Sequence, residues 1–271
     1  MFKFGNPSVR RWANKTQSTA NTSNAPVNYT TATYGGVVGK SALLLGITIL
    51  SAIVTMLATW YGIFQFVETG EISQGVITGF IIGTIVAVVL MVVCSIVISV
   101  SPKLAKIFGP IYAVIQGAFL GFIAAFLEMI IPFVTLAALL GTVIVFVVCI
   151  LMYKVIGVRI KSNFLRVLAI SFMCFALLQL IVIPIMLFTQ IAVSSTAIIW
   201  IQAIASFLCI LFAAITIIYD LQTIDSIVQG GADKNYEWGV AFSLVTSLVY
   251  LYLQILQLLL RILALFGSKK K

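Results

Sequence analysis

The sequence predicts an all-α polytopic membrane protein, a bundle of seven transmembrane helices. Composition is the first reason. Of 271 residues, 62% are hydrophobic and 8% charged, with a mean hydropathy of +1.20. A soluble domain carries roughly 45–50% apolar and about 25% charged residues. The second reason is where the charges fall: they border uncharged runs at least as long as the roughly 20 residues that cross a 30 Å hydrocarbon core. The third is that these runs are continuous. A membrane barrel needs short alternating segments, whereas a continuous apolar run must satisfy its own backbone as a helix. The chain has no histidine. That excludes Ser-His and Cys-His catalysis, haem ligation by histidine and the usual His-rich zinc sites.

Charge-free gaps run from Lys40 to Glu68, Glu71 to Lys103, Lys106 to Glu128, Glu128 to Lys154, Arg166 to Asp220 and Glu237 to Arg261. The fifth gap holds two spans, divided by the polar stretch Thr189, Gln190, Ser194, Ser195 and Thr196. The seven spans are therefore expected at 41–64, 74–100, 110–131, 133–153, 164–188, 197–228 and 238–264. Spans three and four meet at Ile131-Pro132, so a tight antiparallel hairpin is expected there. Pro184 removes a backbone donor inside span five and is expected to kink it. Gly230-Gly231 is the expected stop of span six.

Residues 1–39 are polar and basic, with Lys3, Arg10, Arg11 and Lys15, and read as a flexible tail. The sequons at Asn14, Asn21 and Asn28 read as chance in a Ser/Thr-rich stretch. Residues 40–266 form the membrane domain and 267–271 a basic C-terminal tail. Basic residues favour the cytoplasmic side. With the N-terminus inside, the inner segments hold Lys40, Lys103, Lys106, Lys154, Arg159, Lys161, Arg166 and Lys234, and the outer loops hold Glu68, Glu71 and Glu128. Seven spans then place Arg261 and Lys269–Lys271 outside, against that bias. Cys94, Cys149, Cys174 and Cys209 lie in apolar runs without a CxxC pair and read as reduced core residues. Gly79-xxx-Gly83 and Gly117-xxx-Gly121 are small-xxx-small packing patterns. Trp60, Trp200 and Trp238 fall near expected interfaces.

A carboxylate inside a span costs about 2.5–3.5 kcal/mol on insertion scales and marks function by default. Asp220, after an unbroken apolar run and two to three turns before the end of span six, is the leading candidate. Asp225 lies about 140° around the same helix and nearer water. Gln254 and Gln257 share one side of span seven, and Gln257 reads as interhelical glue. Gln116, Glu128 and Tyr219 are secondary polar candidates, with Glu128 expected at the interface.

Tyr219-Asp220-Leu221-Gln222-Thr223-Ile224 resembles the (Tyr/Phe)-Asp-x-Gln-x-Ile signature on the sixth helix of the Bax inhibitor-1/YccA-like membrane proteins. Leu251-Tyr252-Leu253-Gln254-Ile255 is similar to that family's Leu-Tyr-Leu-(Asp/Glu)-Ile on the last helix. Asn6-Pro7-x-x-Arg10-Arg11, Gln116-Gly117-x-Phe119-Leu120-Gly121 and Gly231-Ala232-x-Lys234-x-Tyr236-x-Trp238 look like its bacterial branch. The resemblance implies a seven-helix bundle with the last helix central and a pH-sensitive calcium leak. In that leak two facing carboxylates share a proton or bind the cation. Here Asp220 matches the first carboxylate, while Gln254 stands in place of the second and Gln116 where many bacterial relatives carry Glu. The second span has no Arg or Lys to serve as the family's latch on the helix-six Asp.

The expected function is thus a pH-influenced cation leak in a bacterial inner membrane. Asp220, the expected calcium ligand, faces Gln254, with Asp225 nearby. The alternative is a non-transporting factor that modulates other membrane proteins, for example a protease. An intramembrane aspartyl protease lacks its second half, a Gly-x-Gly-Asp, so no enzyme is expected. Expected partners are the lipid bilayer, calcium ions and other membrane proteins. No nucleic acid partner and no resident cofactor are expected.

Overall fold

The computed structural model describes residues 31–69, 74–161, 163–164 and 196–268. Six long helices fill these residues: α1 (Tyr34–Thr69), α2 (Gln74–Val100), α3 (Ala105–Ile130), α4 (Val134–Lys154), α5 (Thr196–Gln229) and α6 (Tyr236–Ser268). No strand occurs among them. One isolated bridge joins Thr31 to Asp233. Five helices are long and apolar enough to cross a membrane, all but α2 in their described residues. The polytopic helical class expected from composition is what the chain adopts. Most of the expected fifth span, Pro184, Cys174 and residues 1–30 of the expected tail, with its sequons, lie outside the described residues.

Three helix edges differ from the sequence reading by five residues or more, one of them the end of α1 at Thr69 rather than 64. The first helix begins at Tyr34 rather than near 41. Thr33 is its N-cap, its hydroxyl accepting the N–H of Gly36 at 3.1 Å. The glycines at 35 and 36 had disguised this start as tail. The third helix begins at Ala105 rather than 110, after a 3-10 turn at Pro102–Leu104, and Pro110 sits inside it. The stop at Gly230-Gly231 is as expected. Gly231 adopts φ +62, Gly231 N–H reaches Val228 O and Ala232 N–H reaches Ile227 O, closing a Schellman turn.

The chain divides into two units. The first is Trp12–Phe133 with Ile224–Val245, the end of α5 and the start of α6. Its helices α1 and α3 run parallel in direct contact. The contacts climb both helices together: Leu44 with Gly109, Ser51 Oγ donating to Val114 O at 2.7 Å, and Trp60 Nε1 donating to Ala125 O at 3.4 Å. At the centre a β-carbon on Gly117 would strike Thr48 O, and one on Gly121 would strike Ala52 O. Gly117-xxx-Gly121 is therefore a true packing motif: backbone meets backbone because two consecutive turns carry no side chain. Gly83 of the other pattern faces open space. Leu44, Ile98, Ala105, Ala113, Ala241, Phe242 and Val245 make the apolar core beneath, with Tyr112 edge-on to Phe242 at 4.9 Å.

The second unit holds Val134–Thr223 and Thr246–Lys271. Its α4 buries small or polar residues (Ala138, Thr142, Cys149) and exposes Leu140, Ile144, Val148 and Leu151. Large apolar groups outside and small ones inside are the reverse of a soluble helix. Hydrocarbon is the solvent for which this surface is built. Cys94, Cys149 and Cys209 are buried free thiols.

Gly117→Val and Gly121→Val are each expected to destabilise the protein by about 1–3 kcal/mol through overpacking. Gly46→Ala, with nothing within 4 Å of its added carbon, is expected to be neutral or stabilising. Thermal unfolding in detergent micelles measures all three.

Candidate functional site

Glu237 starts α6 and is fully buried. A side chain of this kind stays inside only with partners, and it has three. Its Oε1 accepts the Thr33 N–H at 2.8 Å and the Thr33 hydroxyl at 3.4 Å. Its Oε2 accepts from Lys40 Nζ at 2.5 Å. The carboxylate lies so close to the Gly36 α-carbon that any side chain there would collide with it. Lys40 also lies 5.2 Å from the Trp238 ring.

Other helix ends gather around this pair. Ala32 N–H donates to Ala232 O at 2.8 Å. Pro102 packs on Gly239, and Lys103 pairs with Asp233 at 3.8 Å and stands over Tyr236. The Tyr34 hydroxyl lies beside Asp225 and Gln229. The starts of α1, α3 and α6 and the ends of α2 and α5 thus meet at one end of the first unit. Asp225 is half-buried at this end.

Within the second unit, α5 and α6 pair antiparallel. Ser247 Oγ donates to Asp220 Oδ2 at 2.6 Å. Fourteen residues away on each helix, Arg261 Nη1 donates to Ser206 Oγ, and also to Gln202 O at 2.5 Å. The two contacts define a heptad register. Ser206, Ala213 and Asp220 recur every seven residues on α5; Arg261, Gln254 and Ser247 recur every seven on α6. Successive layers stand about 10.5 Å apart at 1.5 Å per residue. Between the two contacts Ala213 is fully buried, and Phe212 of α5 meets Tyr250 of α6 edge-on at 6.5 Å.

Asp220 is 5% exposed, so the sequence reading of a deep carboxylate holds for its burial. Its partner in the register is Ser247; Gln254 lies two turns further along the seam. Gln254 is half-buried, and Gln257 is exposed. Tyr219 is half-buried, and its carbonyl accepts the Thr223 hydroxyl at 3.0 Å. Gln116 is buried in the first unit, its side-chain oxygen without a hydrogen-bond partner. Glu128 is half-buried in the last turn of α3, where it accepts the Phe133 N–H at 2.6 Å. Phe133 has φ +65, costly for a bulky residue, and this bond helps hold it.

Sequence reasoning missed Glu237, Lys40, Ser247 and Arg261. Glu237 had one legible sign, an acid in a first helical turn. Ser247 had none, because a serine in an apolar run is ordinary. Arg261 read as one of the basic residues on the outer side at the end of span seven, yet it lies seven residues inside the end of α6. Among the described residues, no three of Cys, Asp or Glu gather into a metal-binding group.

Long apolar helices with outward-facing aliphatic surfaces and inward polar seams define an integral, polytopic helical membrane protein. A family profile described as Bax inhibitor 1 like matches residues 6–264, nearly the whole chain, and the protein belongs to that family. Among curated proteins and solved structures, nothing matches.

Removing the Glu237 carboxylate leaves Lys40 unpaired. Glu237→Ala is expected to destabilise by about 3–5 kcal/mol, and Lys40→Met/Glu237→Leu together by less than Glu237→Ala. A double-mutant cycle on the unfolding midpoint in detergent measures the coupling.

Proposed function

We propose that this protein is a cation leak for calcium, with Asp220 as the group that controls passage. The observation that carries the reading is Asp220 itself, a carboxylate 5% exposed and two to three turns inside the end of a long apolar helix, with a hydroxyl donated to it from the next helix. An ionised carboxylate there is a hard oxygen ligand suited to Ca²⁺; a protonated one is not. Proton concentration therefore influences how well the seam accepts a cation. Gln254, two turns along, supplies an amide oxygen as a second polar station on the α5/α6 seam.

Seven spans with the last helix central are part of the proposal. Three starts and two ends of helices meet around Lys40, Lys103 and Lys234, a basic end that supports a cytoplasmic N-terminus. At 34 residues, α5 begins about 51 Å from where it ends. The charge-free gap from Arg166 to Asp220 is longer than α5 accounts for, so the proposal keeps the further span expected from the sequence at 164–188. Likeness of its motifs to the bacterial branch supports a bacterial inner membrane.

Calcium entry into proteoliposomes tests the proposal. Asp220→Asn is expected to reduce flux about tenfold or more, because a neutral amide offers Ca²⁺ no charge. Ser247→Asp places a second carboxylate beside the first, and two like charges cannot both ionise cheaply. Its flux is expected to depend more steeply on pH than that of the wild type. If Asp220→Asn leaks as the wild type does at every pH, the reading is wrong. A specific membrane partner on pull-down would then favour the modulator of other membrane proteins.

A further inference from the structure

Arg261 is a cation inside an apolar helix, and no carboxylate lies within ion-pair distance of it among the described residues. Its hydrogen-bond acceptors are neutral: the carbonyl of Gln202 and the hydroxyl of Ser206, a residue only 1% exposed. Both acceptors belong to α5, so the guanidinium reaches across the α5/α6 seam instead of turning towards lipid. The heptad register puts it on the seam that holds Asp220, two layers and about 21 Å away. Gln202 and Asp220 are eighteen residues apart, five full turns, and therefore share one side of α5.

An intramembrane charge without a counter-charge is expensive and marks function by default. A structural role in joining two helices needs only a hydroxyl or an amide, which insert at lower cost. What a guanidinium adds is a positive charge that does not titrate, fixed by two bonds from one nitrogen. Fixed arginines act in pores as electrostatic barriers to cations.

We infer that Arg261 is the selectivity barrier of the leak, a tethered positive charge that opposes cation passage along the α5/α6 seam and opposes divalent ions most. The inference rests on the proposed cation leak through Asp220. Coulomb repulsion scales with the charge of the passing ion, so the barrier to Ca²⁺ is twice that to K⁺. Removing it should raise Ca²⁺ flux by about the square of the rise in K⁺ flux. A fivefold gain in K⁺ corresponds to a gain of about 25-fold in Ca²⁺. General loosening of the bundle would raise both alike.

The experiment measures Ca²⁺ and K⁺ entry into proteoliposomes made with full-length wild type, Arg261→Gln, Arg261→Lys, Ser206→Asp and Asp220→Asn. Each protein is first checked for helical content and monodispersity in detergent. Arg261→Gln removes the charge. Ser206→Asp leaves the guanidinium in place and neutralises it, so the test survives if the first variant does not fold. Both are expected to show the squared relation, and Arg261→Lys to stay near the wild type. The inference is overturned by unchanged flux in both neutralised variants, by equal gains in K⁺ and Ca²⁺, or by Arg261→Lys leaking as Arg261→Gln does. Asp220→Asn separates the two ideas. If it abolishes the leak while the arginine variants stay flat, only the barrier is wrong; if it leaks as the wild type does, the cation-leak reading falls and the barrier with it.

Discussion

A buried carboxylate sets the geometry of the first unit. Glu237 has no exposed surface and satisfies both oxygens with groups from one distant segment: the N–H and hydroxyl of Thr33 and the ammonium of Lys40. Those demands reach further than the ion pair. Thr33 must stand where it caps α1, Gly36 must lack a side chain, and α1 must leave its cap at the angle that brings Lys40 round about two turns later. The start of α1 is thereby tied to the start of α6, around which the other helix ends collect. In water such an ion pair contributes little. Where the alternative is an unpaired charge in an apolar surround, it dictates position.

The second unit is organised by register instead. A heptad seam between α5 and α6 repeats the spacing of a coiled coil, but polar residues occupy one helix at every layer: Arg261, Gln254 and Ser247 on α6, facing Ser206, Ala213 and Asp220 on α5. Apolar packing gives helices no net driving force in lipid, because the tails are as apolar as leucine. Small residues and hydrogen bonds have to hold such a seam. These groups pair α5 with α6 and also line the place where a cation is proposed to pass.

Much of the fold was legible in the sequence. The charge gaps located α2, α4, α5 and α6 to within a few residues, because transferring a charge into hydrocarbon costs more than any local preference for or against helix. The first helix started early because its beginning depends on a contact two hundred residues away, which no local pattern reveals. The candidate site was legible in part. Asp220 stood out as a lone carboxylate in an apolar run. Its neighbour did not, because which α6 residue meets it depends on the antiparallel register, and register is set by contacts such as that of Arg261 with Ser206. The family's carboxylate position drew attention to Gln254, and geometry put Ser247 opposite Asp220.

The contact between α1 and α3 has a mechanical consequence. Where Thr48 O and Ala52 O rest on the bare α-carbons of Gly117 and Gly121, there are no rotamers to exchange. Sliding one helix past the other has no intermediate packing to pass through. The pair therefore behaves as one stiff strut. Any motion in the first unit turns it as a whole, with compliance left to contacts made by flexible side chains.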